Sequence, residues 1–465
     1  MTAASLGVLQ CPNSSRKLLF SDKETSLNDS EGQHRYPILG GIPWLVADPA
    51  ATIWQWKLNL THQLASYQQE EESLKEDLKT AGSKLLKERL QRLKEARMHD
   101  RRAIANLLRP LLQENLPAVD LARTLASKVP LTQSLTGYYS NIHRDWSWCA
   151  IEDSVNENVL ARDLVWGALG KALPSGGGSE PQFCAVFGAG CCRLAYDLHE
   201  SFGATQTFAV DINPLLLAVA KRVTEGGTVE LHEYPIAPID IKSVAVKRVL
   251  EAPARIRHGF HFILADALNP PIQPGSLDLV VTPWFVDIVP ETPQNLLARI
   301  NSCLKLGGIW CNFGTLVFHS SRFSDRLSCE EFEQCVLDSG FEFVHKEFTT
   351  IPYMASPASS HSRRERVVCF SARKVRSVEL PQRFQFLPEW ATDNSLPVPL
   401  LQPFADFFTE HRTYAQILSL VDGRRSVDEI SRVLAGMFGM DQAQARESFL
   451  KIAVTLYEKH ASKFI

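Results

Sequence analysis

The feature that most constrains the fold is an apolar run that ends in two glycines and continues as an amphipathic segment. Residues 183–187 are apolar, Gly188 and Gly190 follow, and the amphipathic stretch begins near Arg193. Glycine permits the tight turn and the close backbone approach that a bulky ligand needs at the end of a strand. A second apolar run ends at Asp211, 21 residues after Gly190. This spacing predicts two parallel strands joined by a helix, with an acid placed to accept the hydroxyls of a ribose.

Two cofactor classes share this unit, and the residues further along distinguish them. Dinucleotide-binding enzymes usually carry a third glycine near position 193, where this chain has Arg193. S-adenosylmethionine-binding enzymes instead place an acid at the end of a third strand, and Asp266 ends the apolar run 261–265. We expect its carboxylate to bind the adenine amino group. A fourth apolar run at 277–283 and a turn at Gly307-Gly308 before a fifth complete the series. The order predicts an α/β fold with a Rossmann-like class I methyltransferase sheet that binds S-adenosylmethionine.

The length and composition of the chain predict several regions around this sheet, because 465 residues exceed a single core. They are a β-rich piece at 1–48, a helical region at 49–135, the methyltransferase domain at 136–375, a proline-rich linker at 376–404 and a helical domain at 405–465. The run from Gln68 to Arg102 has opposite charges three and four residues apart, which is typical of a solvated helical hairpin or a short coiled coil. Its interspersed acids argue against an arm that binds nucleic acid.

Charge and cysteine usage restrict the partners. A net charge of −3 disfavours nucleic acid as a partner. The chain has neither a signal-peptide pattern nor an apolar run long enough for a membrane span, so we expect a cytoplasmic protein without membrane contact. The ten cysteines include no CxxC pair and are expected to be reduced core residues, with no bound metal. The oligomeric state stays open, with a homodimer as one alternative.

Two short segments at the ends of the chain have likenesses of their own. Cys11-Pro12 and the stretch HRYPILGGIPWLV at 34–46 resemble the small zinc-ribbon family that activates RNA- and protein-modifying methyltransferases. Only Cys11 remains of that family's metal ligands, which implies a scaffold that has lost zinc. The segment 405–465, with helix starts expected at Ser426 and Asp441, resembles winged-helix peptide-chaperone domains of pyrroloquinoline quinone biosynthesis and other peptide-modifying pathways.

Four motifs within 137–373 point to a narrower family. They are NIHRDWS at 141–147, LHEYP at 231–235, TPWFVD at 282–287 and NFGTLVFH at 312–319. In these motifs and their order, the chain resembles the carnosine N-methyltransferase-like enzymes, which methylate an imidazole nitrogen. Where that family has a second pocket tyrosine before the final strand, this chain has Ser359, His361 and Arg364.

The resemblance implies a set of site residues. The cofactor ligands are expected to be Asn141, Arg144, Gly188, Gly190, Asp211, Asp266, Ala267 and Thr282. Arg144 would face the methionine carboxylate, since a planar guanidinium suits a carboxylate; a surface pair with Asp145 is the alternative. The substrate pocket is expected to contain Trp284, Asp287, His319, Tyr353 and His361, of which Asp287, His319 and Tyr353 are the candidates for catalysis.

The chemistry implied is the alkylation of a neutral imidazole nitrogen. An anionic Asp287 that accepts from the other ring N–H would select the reactive tautomer and stabilise the cationic product. His319 would orient the ring or take up the released proton. Alternatively, Asp287 is a helix N-cap and His319 a buried structural histidine. Three functions stay open: N-methylation of a small metabolite or short peptide, methylation of a peptide or protein captured by 405–465, and a non-catalytic S-adenosylmethionine-binding module.

Overall fold

The structure, a computed structural model, describes residues 3–115, 134–148, 157–173, 181–318, 323–383, 397 and 402–460. The chain divides into two compact units, Met1–Pro388 and Glu389–Ile465. The first contains the predicted sheet and every predicted site residue that the structure describes.

The first unit begins with a small antiparallel sheet. Its elements are α1 (Ala3–Leu6), β1 (Leu18–Phe20), β2 (Ser26–Asp29), β3 (Arg35–Leu39) and β4 (Ile42–Pro43), and the strand order is β1-β2-β3-β4. Beyond β4, Trp44 forms a parallel bridge with Leu264, and the N–H of Leu45 donates to the carbonyl of Leu264 at 2.8 Å. The β-rich piece therefore adds main-chain pairing to the edge of the central sheet.

A pair of long helices, a helical hairpin, follows the small sheet. The helices are α2 (Pro49–Thr80) and α3 (Lys84–Leu107), followed by a short α4 (Arg109–Gln113). Asp48 caps α2 by accepting from the N–H of Ala51 at 3.1 Å, and Ser83 caps α3 in the same way. The hairpin is less solvated than its charge pattern indicates: Trp56, Leu60 and Asp100 are completely buried. Charge alternation describes the outer face of a helix and carries no information about which tertiary surface covers the other face.

The central sheet and its connections occupy the rest of the first unit. In chain order the elements are α5 (Tyr139–Trp146), α6 (Glu157–Ala172), β5 (Phe183–Phe187), α7 (Arg193–Phe202), β6 (Gln206–Asp211), α8 (Pro214–Thr224), β7 (Val229–Glu233), a 3-10 turn (Ile241–Val244), β8 (Val246–Leu250), β9 (Phe260–Leu264), β10 (Leu277–Pro283), α9 (Pro293–Cys303), β11 (Leu304–Gly314), a 3-10 turn (Phe323–Asp325), α10 (Cys329–Asp338), β12 (Phe341–Tyr353) and β13 (Arg363–Lys374). Strands β7 and β8 pair only with each other, as an antiparallel insertion.

The strand order is that of a doubly wound sheet. It runs β12-β13-β11-β10-β5-β6-β9, with β9, β6, β5, β10 and β11 parallel and β13 antiparallel to its neighbours. The chain leaves β5 towards β6 and β9, then crosses to β10 and β11 on the other side. Such a reversal opens a crevice at the carboxyl ends of the two central strands, where ligands of α/β proteins bind. The predicted α/β, Rossmann-like class is confirmed.

Both faces of the sheet are covered, which the continuous apolar runs required. Cys184 and Val186 belong to one core, together with residues of α6 and α8. Ala185 and Phe187 belong to the other, together with residues of α9, α10 and the N-terminal β-rich piece. Because successive strand residues point to opposite faces, one short strand contributes to two cores.

The second unit is helical over its described residues. It contains α11 (Gln402–Leu418), α12 (Val427–Phe438) and α13 (Gln442–His460), and no strand occurs within 402–460. Ser426 forms a capping box with Glu429, and Asp441 accepts from the N–H groups of Ala443 and Gln444, as the two predicted helix starts require. Across the described residues of the whole chain, no helix combines the length and apolarity that crossing a bilayer demands.

Candidate active site

The glycine turn closes the carboxyl end of β5. Gly188 and Gly190 have φ angles of +66° and +56°, which side-chain-bearing residues rarely adopt. A Cβ atom on Gly188 would lie 2.5 Å from the Phe285 ring, whereas one on Gly190 would meet nothing within 4 Å. Gly188 is thus packed against the segment after β10, and Gly190 borders open space.

Two carboxylates mark the ends of the adjacent strands. Asp211 accepts from the N–H of Gly190 and from that of Asn213, both at 2.8 Å. Asp266 accepts from the N–H of Leu268 at 2.9 Å. Desolvation raises the pKa of Asp211 to about 6 and also raises the pKa of Asp266. Both carboxyl groups nevertheless remain partly exposed at this edge of the sheet, so a polar ligand can reach them.

Helix α5 is attached directly to the glycine turn. The indole N–H of Trp146 donates to the carbonyl of Cys191 at 2.8 Å. The guanidinium of Arg193 donates to the carbonyl of Asp145 at 2.9 Å and lies over the Trp146 ring. Arg193 therefore occupies the position of a third glycine and uses its side chain to hold α5. The sequence showed the departure from the glycine pattern, but it did not reveal this role.

Arg144 lies on α5 between two acids. Its Nε donates to Asp145 Oδ1 at 2.8 Å, and its terminal nitrogen lies 3.4 Å from Glu157 Oε1. These carboxylates raise the pKa of Arg144 against the opposing effect of desolvation. The alternative pairing with Asp145 is therefore present, but all three side chains are largely buried, so this is not a surface pair. Asn141 lies one turn earlier on α5 and is half-buried.

Glu157 connects Arg144 to the segment that follows the edge strand β12. This residue was not identified from the sequence. Its second carboxylate oxygen accepts from the N–H of Met354 at 2.7 Å, immediately after β12. Met354 has a φ of +51°, and Tyr353 lies just before it. Desolvation raises the pKa of Glu157. The positions are 197 residues apart, and no local pattern marks either of them.

Aromatic side chains and one acid gather where β10 and β12 end. The Trp284 ring lies 4.6 Å from the ring of Tyr353, and the guanidinium of Arg363 lies 4.5 Å from that ring on its face. Asp287 is buried and accepts from the Thr315 hydroxyl at 2.9 Å and from the N–H of Val317 at 2.8 Å. Asp287 is not the N-cap of the next helix, because Thr292 caps α9. Its carboxylate instead holds the segment that follows β11.

The other predicted residues have different settings. The Thr282 hydroxyl is buried, donates to Asn312 Oδ1 and accepts from the indole N–H of Trp310, both at 2.9 Å, so the side chain is engaged between strands. Ala267 is half-buried beside Asp266, and His361 is exposed in the β12–β13 turn. His319 lies outside the described residues. The structure therefore brings most of the predicted residues to one edge of the sheet and leaves His361 on the surface.

Comparisons with known proteins relate the chain to one group of enzymes. A family model described as carnosine N-methyltransferase matches residues 126–376, more than half of the chain. The carnosine N-methyltransferase of Dictyostelium discoideum is 30% identical over 90 residues, which are 19% of this chain and 19% of that protein. Its counterpart in Rattus norvegicus is 32% identical over 108 residues, 22% of this chain and 26% of that protein. The matched region thus spans only 19% to 26% of the length of these curated relatives.

Solved structures show weaker likenesses. Phosphoethanolamine N-methyltransferase 2 of Haemonchus contortus, in complex with S-adenosyl-L-methionine, is 17% identical, with a TM-score of 0.31 over 56% of this chain and 61% of that one. The strand order β12-β13-β11-β10-β5-β6-β9 by itself shows the α/β fold.

Proposed function

Because the chain belongs to the carnosine N-methyltransferase family, as the match over residues 126–376 establishes, we propose that it transfers a methyl group from S-adenosylmethionine to an imidazole nitrogen of a small histidine-containing metabolite such as carnosine. The observation that carries the proposal is that Trp284, Tyr353 and Asp287 lie at the same sheet edge as the glycine turn. Phe285, between two of them in sequence, directly contacts Gly188.

The crevice fits S-adenosylmethionine in three respects. Open space beside Gly190 admits a bulky group, and Asp211 and Asp266 offer carboxylates for the ribose hydroxyls and the adenine amino group. Arg144 supplies a cation for the methionine carboxylate, with Asn141 on the same helix. When bound, the cofactor supplies a methyl group that its sulfonium has already activated.

The protein then has mainly to orient the acceptor, because alignment accounts for much of the barrier in such a displacement. Trp284 and Tyr353 provide aromatic surfaces for an imidazole ring. Asp287 accepts the N–H of the non-reacting nitrogen, so that the other nitrogen presents its lone pair. The Thr315 hydroxyl and the N–H of Val317 donate to this carboxylate and fix its direction. His319, two residues beyond Val317, takes up the proton that the product releases.

The test replaces Asp287 by Asn and His319 by Ala and measures methyl transfer to carnosine from labelled S-adenosylmethionine. We expect kcat/KM to fall by roughly 10²-fold or more in each variant, the usual contribution of a positioned acid or base. Cofactor affinity, measured by calorimetry, should stay near the wild-type value. If both variants turn over carnosine normally while binding the cofactor, the imidazole assignment is wrong.

A peptide acceptor is the second candidate, and the second unit favours it. Met437 and Phe438 on α12 and Val454 on α13 expose apolar side chains, a composition that suits contact with a polypeptide. In this variant of the proposal, residues 405–465 bind the peptide and the same crevice methylates its histidine. An extract incubated with methyl-labelled cofactor, followed by mass spectrometry of the labelled product, separates a metabolite from a peptide acceptor.

A further inference from the structure

Three side chains of the N-terminal β-rich piece converge, and one of them, Cys11, precedes the other two by at least 18 residues. The Cys11 sulfur, a carboxylate oxygen of Asp29 and a ring nitrogen of His34 lie within 4.8 Å of one another. Cys11 and Asp29 are buried, whereas His34 keeps partial access to solvent. A thiol, a carboxylate and an imidazole are three of the side-chain groups that bind zinc in proteins.

Two facing turns produce this convergence. In the first, the N–H of Ser15 donates to the carbonyl of Cys11 at 2.9 Å, and Ser15 adopts a φ of +56°. In the second, Asp29 ends β2, its N–H donates to the carbonyl of His34 at 3.0 Å, and Gly32 turns the chain between them. The antiparallel pairing of β1 with β2 places one turn against the other.

The donors around the three side chains are already arranged for anionic ligands. The N–H of Ser14 donates to the Cys11 sulfur at 3.3 Å, and the Ser14 hydroxyl donates to Asp29 at 3.2 Å. The N–H of His34 donates to the other carboxylate oxygen of Asp29 at 3.0 Å. No described residue forms a hydrogen bond with the His34 ring. Hydrogen bonds of this kind orient metal ligands and stabilise their charged forms.

We propose that Cys11, Asp29 and His34 bind one zinc ion, with water or the Ser14 hydroxyl as the fourth ligand. On binding, the thiol of Cys11 loses its proton to solvent and the thiolate bonds to the metal. A sulfur and a nitrogen ligand exclude calcium and magnesium, which prefer oxygen. The sequence predicted a scaffold without metal, because only one cysteine of the zinc-ribbon ligands remains. The proposal differs from that prediction, since a carboxylate and an imidazole complete the ligand set.

A second group of similar composition is better explained without a metal. His99, Asp100 and His232 also lie within 4.8 Å of one another. However, Asp100 already accepts from His232, from His99 and from the Tyr234 hydroxyl, at 2.8, 3.1 and 2.8 Å. The ring nitrogens nearest the carboxylate are used as donors, so this cluster is a complete hydrogen-bonded network.

Zinc at the first site would be structural. The β-rich piece pairs with the main sheet through Trp44 and Leu264, two residues before the cofactor acid Asp266. A metal that crosslinks the two turns would stabilise this piece and, through it, the edge strand β9. The inference does not depend on the proposed methyl transfer, because metal content is measured without any acceptor.

The test uses the untagged full-length chain, purified after growth with added zinc and dialysed against metal-free buffer. We expect about one zinc per chain by mass spectrometry and a higher melting temperature than in the chelator-treated protein. Replacing zinc by cobalt should produce a thiolate-to-cobalt charge-transfer band. Cys11→Ser should abolish that band, and His34→Ala should lower the zinc content several-fold.

Two matched variants serve as controls. Cys329→Ser removes an exposed thiol, and His99→Ala removes a ligand of the second group; both should keep the zinc and the cobalt band. The proposal is overturned if the wild-type chain holds no zinc and gives no cobalt band, or if Cys11→Ser keeps its zinc. Loss of zinc in His99→Ala but not in His34→Ala would assign the metal to the other group and would equally overturn it. The absence of zinc and of the cobalt band in the wild-type chain overturns the proposal even if a variant fails to fold.

Discussion

At the scale of single residues, Gly188 and Gly190 share a backbone requirement and differ in what surrounds them. Both have positive φ, so each needs the conformational freedom of glycine. Gly188 is pressed against Phe285, which is itself buried, whereas Gly190 borders open space. One glycine therefore serves packing, and the other leaves room for a ligand.

Alanine at each position should separate these two roles. The left-handed backbone costs a side-chain-bearing residue about 1 kcal/mol, and overpacking against Phe285 adds about 1–3 kcal/mol for Gly188→Ala. Gly190→Ala should fold with only the smaller loss but bind S-adenosylmethionine at least about tenfold more weakly. Urea denaturation and calorimetry measure the two effects. Wild-type cofactor affinity in Gly190→Ala would show that the cofactor does not occupy this space.

The Asp211 carboxyl predicts a pH dependence of cofactor binding. Its pKa in the folded protein is raised to about 6 from the ordinary 3.8. The native state therefore holds this proton more tightly than the unfolded state, and the group's contribution to stability decreases as pH rises from about 4 to about 6. Ribose hydroxyls donate to the ionised form, so cofactor affinity should change in the opposite direction and rise with pH.

Below about pH 6, the affinity for S-adenosylmethionine should fall by up to about tenfold per pH unit, and above that pH it should level off. Calorimetry over this range checks the prediction. Asp211→Asn should remove the step, whereas Asp240→Asn, at an exposed turn, should leave it unchanged. A step that persists in Asp211→Asn would assign the titration to another group.

At the scale of elements, Asp100 links three parts of the fold. It lies on α3, accepts from His232 on β7, and lies 3.1 Å from the hydroxyl of Tyr139 at the start of α5. The same hydroxyl lies 2.9 Å from the carbonyl of His232. Because α5 carries Asn141 and Arg144, the helical hairpin contacts the helix proposed to bind the cofactor. The carboxylate is completely buried, and its donors lower its pKa against desolvation.

Asp100→Asn should reduce the free energy of unfolding by about 3 kcal/mol. The amide NH2 would face the N–H and O–H groups that now donate to the carboxylate, and these buried donors would lose their acceptor. It should also weaken S-adenosylmethionine binding by loosening α5. Asp77→Asn, exposed on α2, is the control and should change neither quantity. Reduced stability with unchanged cofactor affinity would mean that the cluster stabilises the fold without positioning α5.

At the scale of the whole molecule, the chain consists of two units with separate cores. The second has its own small apolar core, in which Ile417, Ile430, Leu434, Ala445 and Phe449 are buried. The first contains all the predicted site residues that the structure describes. Domains with independent cores generally fold alone.

A chain ending at Pro388 should therefore fold and methylate carnosine with a kcat/KM within about twofold of the full-length value, because every predicted site residue that the structure describes lies in the first unit. Steady-state kinetics with carnosine and with histidine-containing peptides checks this prediction. Selective loss of peptide methylation would favour the peptide acceptor. Loss of activity on carnosine in a folded truncated chain would mean that the second unit contributes to the site.

Much of the fold follows from local patterns. Glycine turns, apolar runs and acids at strand ends predicted the succession of the parallel strands along the chain and the strand ends that carry Asp211 and Asp266. The family resemblance is confirmed over residues 126–376. The individual roles of Asn141, Arg144, Asp287, His319 and Tyr353 stay predictions for the kinetic tests above. Thr282 shows the limit of such reasoning, since its place at a strand end did not reveal that its hydroxyl is engaged between strands.

By itself, the sequence determined the type of sheet and the position of the glycine turn, because periodicity and turn chemistry act over a few residues. Only the tertiary structure decided which distant side chains meet. Glu157 joins Arg144 to Met354, Asp100 joins α3 to β7, and Asp29 and His34 approach Cys11. These contacts depend on how whole elements pack, and neither residue of such a pair carries a local signal for the other. The glycine turn at Gly188 and Gly190 could therefore be predicted from the sequence, whereas the contacts that Glu157 makes with Arg144 and with Met354 could not.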